Sequence, residues 1–472
     1  MVEGIAPEDP LSFRAETQRV AFLNMAPGRL RVWGIRSSVA MLDQALSSGA
    51  GLVLNLLLAR WLSAEAYGAF AVAFAGALFL SGFHNVLLLE PMTVMGPARY
   101  ADRLLTYLRS QMRVNTVLVL VLSALTMLTG VVLGLGHSRE LGGAFIACGI
   151  AVPFILLLWV ARRMCYVVQR PSAALAGSAL YFVLICGGLF ALHERGSLTI
   201  VTAFGLVAVA SLAASLVLLQ QLGIIAALGH RDISLALAQV AGENWKYGRW
   251  LVASTILYNA FGQIQIFLVA GALGLGAAGV LRAMQMPALV MSQITTATGL
   301  IVLPSMSSDF GSGSIARLRK KASLTALFLT TAALLYGVGL FIFAGTTEHI
   351  LYGGKYAAYI WLIPMFAFLP LCNGFATGYS MALRASNKPH FDLLANSVAA
   401  PVGVISCVLF IHWWGIAGAV ASMALGYLAY AAVFFWSYRR EHLGGASKST
   451  YPGAGLAPAV QLASEFERTD RK

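Results

Sequence analysis

Long apolar runs separated by short polar connections dominate the pattern of this chain. Crossing the apolar core of a bilayer, about 30 Å thick, takes about 20 helical residues. Counting runs of that length predicts twelve spanning helices, numbered here as segments 1 to 12. Their predicted boundaries are 37–59, 66–89, 114–135, 141–161, 172–192, 197–220, 250–271, 277–303, 322–344, 357–380, 391–413 and 416–437. The pattern predicts an all-α, polytopic membrane protein.

Composition supports a membrane protein and excludes several other classes. Of the 472 residues, 59% are hydrophobic and 11% are charged, whereas soluble domains carry about 25% charged residues. The net charge of +13 is confined to the connections, so it does not indicate a nucleic-acid-binding protein. The five cysteines show no C-x-x-C or Cys/His spacing, which predicts packing residues and no metal site.

The positive charges alternate between successive connections. With a cytoplasmic N-terminus, the connections assigned to the inside carry Arg99, Arg103, Arg109, Arg162, Arg163, Arg170, Arg231, Lys246, Arg317, Arg319, Lys320, Lys321, Arg384 and Lys388. Those assigned to the outside carry Arg60, Arg139, Arg195 and Lys355. This asymmetry follows the positive-inside rule and predicts that both termini are cytoplasmic.

The longest internal connection divides the chain into two halves. We predict a cytoplasmic N-terminal segment (1–36), an N-lobe of segments 1 to 6 (37–222), a cytoplasmic linker (223–248), a C-lobe of segments 7 to 12 (249–438) and a disordered cytoplasmic tail (439–472). The start of the chain lacks the features of a cleaved signal peptide. Part of the linker, Ile233–Trp245, is expected to form an amphipathic interfacial helix.

The two halves contain a weak internal repeat. Residues 58–70 have a counterpart at 269–281, and this alignment pairs Gly68 with Gly279. Parallel repeats are common in transporters, in which the substrate site lies at the interface between the repeats.

Three segments carry polar stripes at depths where lipid disfavours amides and charges. On segment 8, a single helical face holds Arg282, Gln285, Gln293 and Thr296. On segment 7, Thr255, Asn259 and Gln263 recur every four residues, and on segment 1, Gln44, Ser47, Gly51 and Asn55 recur every three or four residues. The candidate cavity residues are Arg282, Gln285, Gln293, Asn259, Gln263, Gln44 and Asn55. The alternative is that these amides only form hydrogen bonds between helices, worth around 0.6 kcal/mol each.

Two charged residues each allow two interpretations. Arg282 lies about five residues below the outer connection, so its guanidinium either faces a cavity or extends to the outer headgroups. A cavity position indicates an anionic substrate. Asp43 lies near the inner end of segment 1, where it is either a coupling site for a proton or sodium ion or a structural, ion-paired carboxylate, with Arg36 as the neighbouring cation.

The sequence does not support a nucleotide-binding or catalytic motif. Residues 274–279 match G-x-G-x-x-G, but they join two apolar spans and follow no strand. The sequence contains no Walker A motif, zinc-protease motif or nucleophile elbow. We therefore expect a transporter and not an enzyme, and we expect no cofactor. Transport would be driven by an ion, by the membrane potential, by a concentration gradient or by a partner protein.

Several stretches resemble a known transporter family. Three stretches are similar to bacterial polysaccharide flippases of the Wzx type. They are the first helix running into ARWLSAEAYGAFAVAFA, the segment 8 pattern AAGVLRAMQMPALVMSQITTATGLIVLPSMS, and the late run MALRASNKPHFDLLANSVAAPVGVISCVLFIHWWGIAGAVAS. These flippases belong to the multidrug/oligosaccharidyl-lipid/polysaccharide exporter superfamily. The resemblance covers about residues 30–438.

The resemblance implies a V-shaped, MATE-like fold of two six-helix lobes in the bacterial inner membrane. It also implies alternating access and translocation of an undecaprenyl-pyrophosphate-linked oligosaccharide for exopolysaccharide, O-antigen or capsule synthesis. Arg282 matches the cationic residues thought to hold the pyrophosphate. Implied partners are the lipid-linked substrate, the bilayer, and polymerase and export proteins.

Three alternative functions remain open. A cation-coupled multidrug antiporter of the same superfamily would use Asp43 as its coupling group. A peptidoglycan precursor flippase usually has two more helices, and a membrane glycosyltransferase or polymerase predicts a large outer loop that this chain lacks.

Overall fold

Long α-helices make up almost all of the structure, a computed structural model that describes residues 27–136, 138–224, 237–386, 388 and 390–443. The predicted tail beyond 443, most of the N-terminal segment and residues 225–236 of the linker lie outside the described residues. The helices are α1 (Pro27–Trp61), α2 (Ala64–His84), α3 (Glu90–Arg99), α4 (Leu104–Gly136), α5 (Arg139–Val167), α6 (Pro171–Glu194), α7 (Ile200–Gln221), α8 (Leu237–Leu273), α9 (Leu275–Gly311), α10 (Ile315–Ile342), α11 (Ala344–Tyr352), α12 (Leu362–Ala385) and α13 (His390–Tyr438).

The predicted all-α, multi-pass membrane fold is confirmed. Eleven helical stretches in the described part of the chain are long and apolar enough to span a membrane. The last of them, His390–Glu441, is interrupted at Gly415, whose φ of 56° and ψ of −130° are not helical. A positive φ is readily accessible to glycine, which has no Cβ. The break divides this stretch into the two predicted segments 11 and 12.

Several predicted boundaries need correction. Segment 2 is extended, because α2 passes through a π-helical turn (Asn85–Leu89) directly into α3, and segment 3 is extended, because α4 begins at Leu104. The helix of segment 7 begins at Leu237, but its apolar spanning part, Leu251–Leu273, agrees with the predicted 250–271. Of the predicted interfacial helix, residues 237–245 form the first turns of this continuous helix, and residues 233–236 lie outside the described residues.

Because successive helices run in opposite directions, the molecule has two ends. We call the end at the α1–α2 and α8–α9 connections the Gly68 end, and the opposite end, where α1 carries Asp43, the Asp43 end. We also call residues 27–224 the N-terminal half and residues 237–443 the C-terminal half. The largest buried apolar cluster includes residues of both halves, among them Phe70, Val72, Val269 and Leu281.

Candidate functional site

The two halves meet most closely at the Gly68 end. If Gly68 carried a Cβ, that atom would lie 1.8 Å from the carbonyl oxygen of Leu275, and a Cβ on Gly279 would lie 2.2 Å from the carbonyl oxygen of Ala64. Only glycine allows such an approach of two backbones. The α2–α9 crossing therefore closes the interface at this end.

Arg282 lies one helical turn below this crossing. Its guanidinium donates a hydrogen bond to Gln285 (Nη1 to Oε1, 3.0 Å), one turn further from the Gly68 end. It also lies close enough to the buried Tyr67 hydroxyl for electrostatic interaction. Tyr67 in turn donates to Asn55 Oδ1 at 3.3 Å. The Arg282 guanidinium thus belongs to a polar cluster contributed by both halves.

The four residues of this cluster come from three helices. Asn55 is on α1, Tyr67 on α2, and Arg282 and Gln285 are on α9. Asn55 is buried and also donates to the carbonyl oxygen of Gly51 at 2.8 Å. The predicted candidates Arg282, Gln285 and Asn55 are therefore brought together, with Tyr67 between them.

The remaining candidates lie further toward the Asp43 end. Gln44 and Gln293 are exposed, and each donates a hydrogen bond to a serine of its own helix, Ser48 and Ser292 respectively. Gln263 is partly buried. Asn259 packs against α2, where its Nδ2 would lie 2.5 Å from a Cβ on Gly82. These amides are spread along the helices and do not join the cluster.

A small polar hollow continues from the cluster into the C-terminal half. It is lined by Gln285, Ala288, Leu289, Ser292, Thr295, Leu369, Pro370, Asn373 and Tyr427. Its volume of about 50 Å³ exceeds the roughly 10–15 Å³ that a buried site needs to hold one water molecule. The hollow therefore has room for water.

Asp43 forms a separate, fully buried network in the N-terminal half. Its carboxylate accepts hydrogen bonds from Arg162 Nη2 at 2.7 Å, Tyr166 OH at 2.5 Å and Ser178 Oγ at 2.5 Å. Arg162 also donates to Ser47 Oγ at 2.7 Å. The side chain of Arg36, the neighbour considered from the sequence, lies outside the described residues. The carboxylate thus has a cation and two hydroxyl donors from two other helices.

Two functional candidates were missed in the sequence. Tyr67 lies in the run AYGAF and has the pattern of an apolar aromatic, although its hydroxyl donates to Asn55 Oδ1. Arg162 was assigned to a cytoplasmic connection, but it lies inside α5 and pairs with Asp43, 119 residues away. An arginine within an apolar run is itself a signal of a buried partner.

Comparison of the sequence with known families gives one match. Residues 151–361 match a family model described as polysaccharide biosynthesis protein. Comparison with curated protein sequences finds no match.

Solved transporter structures share this fold. An inward-facing multidrug resistance MATE family transporter of the MOP superfamily superimposes with a TM-score of 0.69 at 15% identity, covering 87% of this chain and 98% of that one. The lipid II flippase MurJ, in an inward closed conformation, gives 0.67 at 12% identity, covering 93% and 100%. A eukaryotic MATE transporter gives 0.62 at 14% identity, covering 88% and 98%. The predicted MATE-like fold is confirmed: the chain shares the fold of the MATE and MurJ transporters, and residues 151–361 match the polysaccharide biosynthesis family model.

Proposed function

We propose that this protein is a flippase that moves an undecaprenyl-pyrophosphate-linked oligosaccharide from the inner to the outer leaflet by alternating access, without acting as an enzyme. The observation that carries the proposal is the position of Arg282. Its guanidinium lies at the interface of the two halves, directly below the Gly68–Gly279 crossing, where it donates a hydrogen bond to the amide of Gln285.

An anionic headgroup requires such a polar position. Transferring an unpaired charge into a low-dielectric interior costs many kcal/mol by Born estimates, so a path through the bilayer must replace the headgroup's hydration. A guanidinium presents several N–H donors in a planar fork that matches phosphate oxygens. Arg282 uses one of these donors for Gln285 and is only partly buried, so it retains donors for a pyrophosphate.

The polar side chains further along α9 suit the glycan. Ser292, Gln293 and Thr296 follow Arg282 toward the Asp43 end, and Gln293 and Thr296 are exposed. On α1, Gln44 is exposed at the same end. In the proposed cycle these groups hydrogen-bond sugar hydroxyls while the prenyl chain stays in lipid.

The charge distribution of the connections supports the direction of transport. By the positive-inside rule, the Asp43 end faces the cytoplasm and the Gly68 end faces outward in the bacterial inner membrane. The closed crossing then lies on the outer side, and the exposed Gln44, Gln293 and Thr296 lie toward the inner side. The proposed partners are the lipid-linked substrate, the bilayer, and polymerase and export proteins.

The main rival is a cation-coupled multidrug antiporter that uses Asp43. Both oxygens of the Asp43 carboxylate already accept hydrogen bonds, and the Arg162 guanidinium balances its charge. A coupling ion at this site would have to displace Arg162. This geometry favours the flippase over the antiporter.

Reconstitution into proteoliposomes separates the two functions. We expect lipid-linked oligosaccharide to cross the bilayer and organic cations not to exchange for protons or sodium. Arg282→Ala should slow flipping about tenfold or more, as expected for loss of hydrogen bonds to a charged group, and Arg282→Lys should slow it less.

Arg195→Ala removes the same charge from an exposed connection at the Gly68 end. This variant should translocate the lipid-linked oligosaccharide at the parental rate. Unchanged flipping by folded Arg282→Ala protein would refute the assigned role of Arg282. Drug exchange without any flipping would refute the proposed function.

A further inference from the structure

A strap from the C-terminal half reaches across to the N-terminal half at the Gly68 end. The strap, residues 344–361, comprises α11 and the turns that follow it. Tyr352 OH donates to the carbonyl oxygen of Ala283 on α9 at 2.6 Å. The buried Glu348 carboxylate accepts from the backbone N–H of Tyr356 at 2.8 Å. The strap is therefore fixed to its own half and holds a defined shape.

The strap contacts the C-terminal end of α1. Lys355 Nζ donates to the carbonyl oxygens of Ala59, at 2.7 Å, and Leu62. Tyr356 OH donates to the same Ala59 oxygen at 3.1 Å. The last carbonyl groups of a helix lack intrahelical partners and carry partial negative charge. The Lys355 ammonium supplies the matching positive charge from the opposite half.

A second contact joins the two halves through Arg60, in the last turn of α1. Its guanidinium donates to the carbonyl oxygen of Ile350 on the strap (Nη1 to O, 2.8 Å). The end of α1 is thus held by two cations, one from each half.

The N-terminus of α9 shows the reciprocal arrangement, in which a carboxylate from the N-terminal half lies at the start of a helix of the C-terminal half. α9 begins after Gly274, which provides no side-chain cap. Glu65 of α2 lies there: its Oε1 would be 3.1 Å from a Cβ on Gly276, in the first turn of α9. A carboxylate is favourable at a helix N-terminus because the first N–H groups are unpaired and positive. Glu65 and Lys355 also attract each other.

We propose that Lys355 and Glu65 form a crossed electrostatic latch that holds the Gly68 end closed, and that releasing it is the step that opens this end. Each residue neutralises the terminus of a helix that belongs to the other half. Separation of the halves breaks both contacts together and returns both charges to water. The inference does not depend on which substrate is carried.

The latch is suited to repeated release. Burial lowers the pKa of the Lys355 ammonium, and the Glu65 carboxylate opposes that shift. Part of the attraction between Lys355 and Glu65 therefore offsets the hydration that the Lys355 ammonium loses. The side chains of Lys355 and Glu65 are already exposed in the closed structure, so water can replace their helix-end contacts as soon as the halves part.

Distance measurement between the halves tests the latch without a transport assay. Spin labels at Ser197→Cys and His412→Cys occupy exposed positions at the Gly68 end of the N-terminal and C-terminal halves. Cys186, which is partly exposed, is replaced by serine, and the other four cysteines are buried. In the purified full-length protein we expect a short distance to dominate.

Lys355→Met and Glu65→Gln should each add a longer-distance population. The expected rise in the long-to-short ratio is about fivefold, the effect of losing about one net hydrogen bond. Lys355→Arg should keep the parental distribution, because it retains a cation. Lys320→Met removes an exposed lysine at the Asp43 end and should also leave the distribution unchanged.

The two single variants are independent tests, and each is measured on protein that elutes as a folded monodisperse species. Distributions for Lys355→Met and Glu65→Gln that both superimpose on the parent would overturn the latch. An equal change in Lys320→Met would also overturn it, because the effect would then be one of net charge.

Discussion

Gly68 and Gly279 occupy equivalent positions in the two halves and face each other where α2 crosses α9. The amide nitrogen of each residue would lie 3.0 Å from a Cβ placed on the other. A side chain at either position would meet backbone, which cannot rotate away. The crossing is therefore a direct backbone contact of the kind that small residues permit between membrane helices.

Gly68→Ala and Gly279→Ala should weaken this contact. The added methyl group must push the two helices apart, and overpacking of this kind typically costs 1 to 3 kcal/mol. We expect a lower unfolding temperature and a larger population with the Gly68 end open, measured by thermal unfolding and by the spin-label distances.

Gly51→Ala is the matched control, because a Cβ at this helical position would have no atom of another helix within 4 Å. This variant should be unchanged or slightly more stable, since alanine is the better helix former. Gly68→Ala protein that melts at the Gly51→Ala temperature would contradict the close contact.

Asp43 and Arg162 form a buried ion pair, and removing one partner should destabilise the protein strongly. The Asp43 side chain is fully buried, and that of Arg162 is 15% exposed. Breaking a buried pair leaves an uncompensated charge and typically costs 3 to 5 kcal/mol. We expect Arg162→Ala to show this loss in thermal unfolding, and Asp43→Asn combined with Arg162→Met to recover part of it.

Arg384→Ala provides the comparison, because the Arg384–Asp392 pair lies nearer the surface, with 49% of the arginine side chain exposed. Pairs of that kind contribute up to about 1 kcal/mol. Equal losses for Arg162→Ala and Arg384→Ala would show that the Asp43 network is not a buried structural unit.

Tyr100 ties the start of α8 to the N-terminal half. Its hydroxyl donates to Glu243 Oε2 at 2.9 Å, beside a reciprocal amide pair between Gln111 and Asn244. Burial, reinforced by Glu243, raises the pKa of Tyr100 from 10.0 to about 12. Since the folded pKa is the higher one, this stabilisation is complete below about pH 10 and is lost as the pH rises through about 12.

Tyr100→Phe should therefore lower the free energy of unfolding by about 1 kcal/mol, the net value of one hydrogen bond. The loss should be the same at pH 6, 7.5 and 9, where the hydroxyl stays protonated. Tyr258→Phe, at a position that is 63% exposed, should have no effect. A loss that disappears by pH 9 would contradict the raised pKa of Tyr100.

The sequence predicted the parts of this structure that depend on local pattern. Spanning helices follow from the length of apolar runs. Aligning the repeats identified Gly68 and Gly279 as counterparts, but it did not predict that the two residues are in contact. The predictions failed where the partners are distant in sequence. Nothing near Asp43 indicates Arg162, and the strap contact between Lys355 and Ala59 spans 296 residues. The π-helical turn at Asn85–Leu89 has no local signal that we can identify.

The candidate site could also be predicted only in part from the sequence. Arg282, Gln285 and Asn55 were found because amides and charges are unexpected within apolar segments. Tyr67 was not, because a tyrosine is common there and only its hydroxyl takes part. Whether Gln44 and Gln293 contact substrate stays a prediction.

Tyr67→Phe tests whether the polar cluster holds Arg282 in position for substrate. The change removes one hydroxyl from a fully buried side chain, together with its hydrogen bond to Asn55. If the Tyr67 hydroxyl orients Arg282, the apparent KM for lipid-linked substrate should rise about threefold to tenfold, the effect of one hydrogen bond, with kcat changed less.

Tyr336→Phe also removes a hydroxyl bonded to α9, through the carbonyl oxygen of Pro287, but away from Arg282. It should lose similar stability and keep the parental KM. Equal KM values for both variants would show that Tyr67 supports only the packing of α2, and Arg282 would then have to be positioned by Gln285 alone.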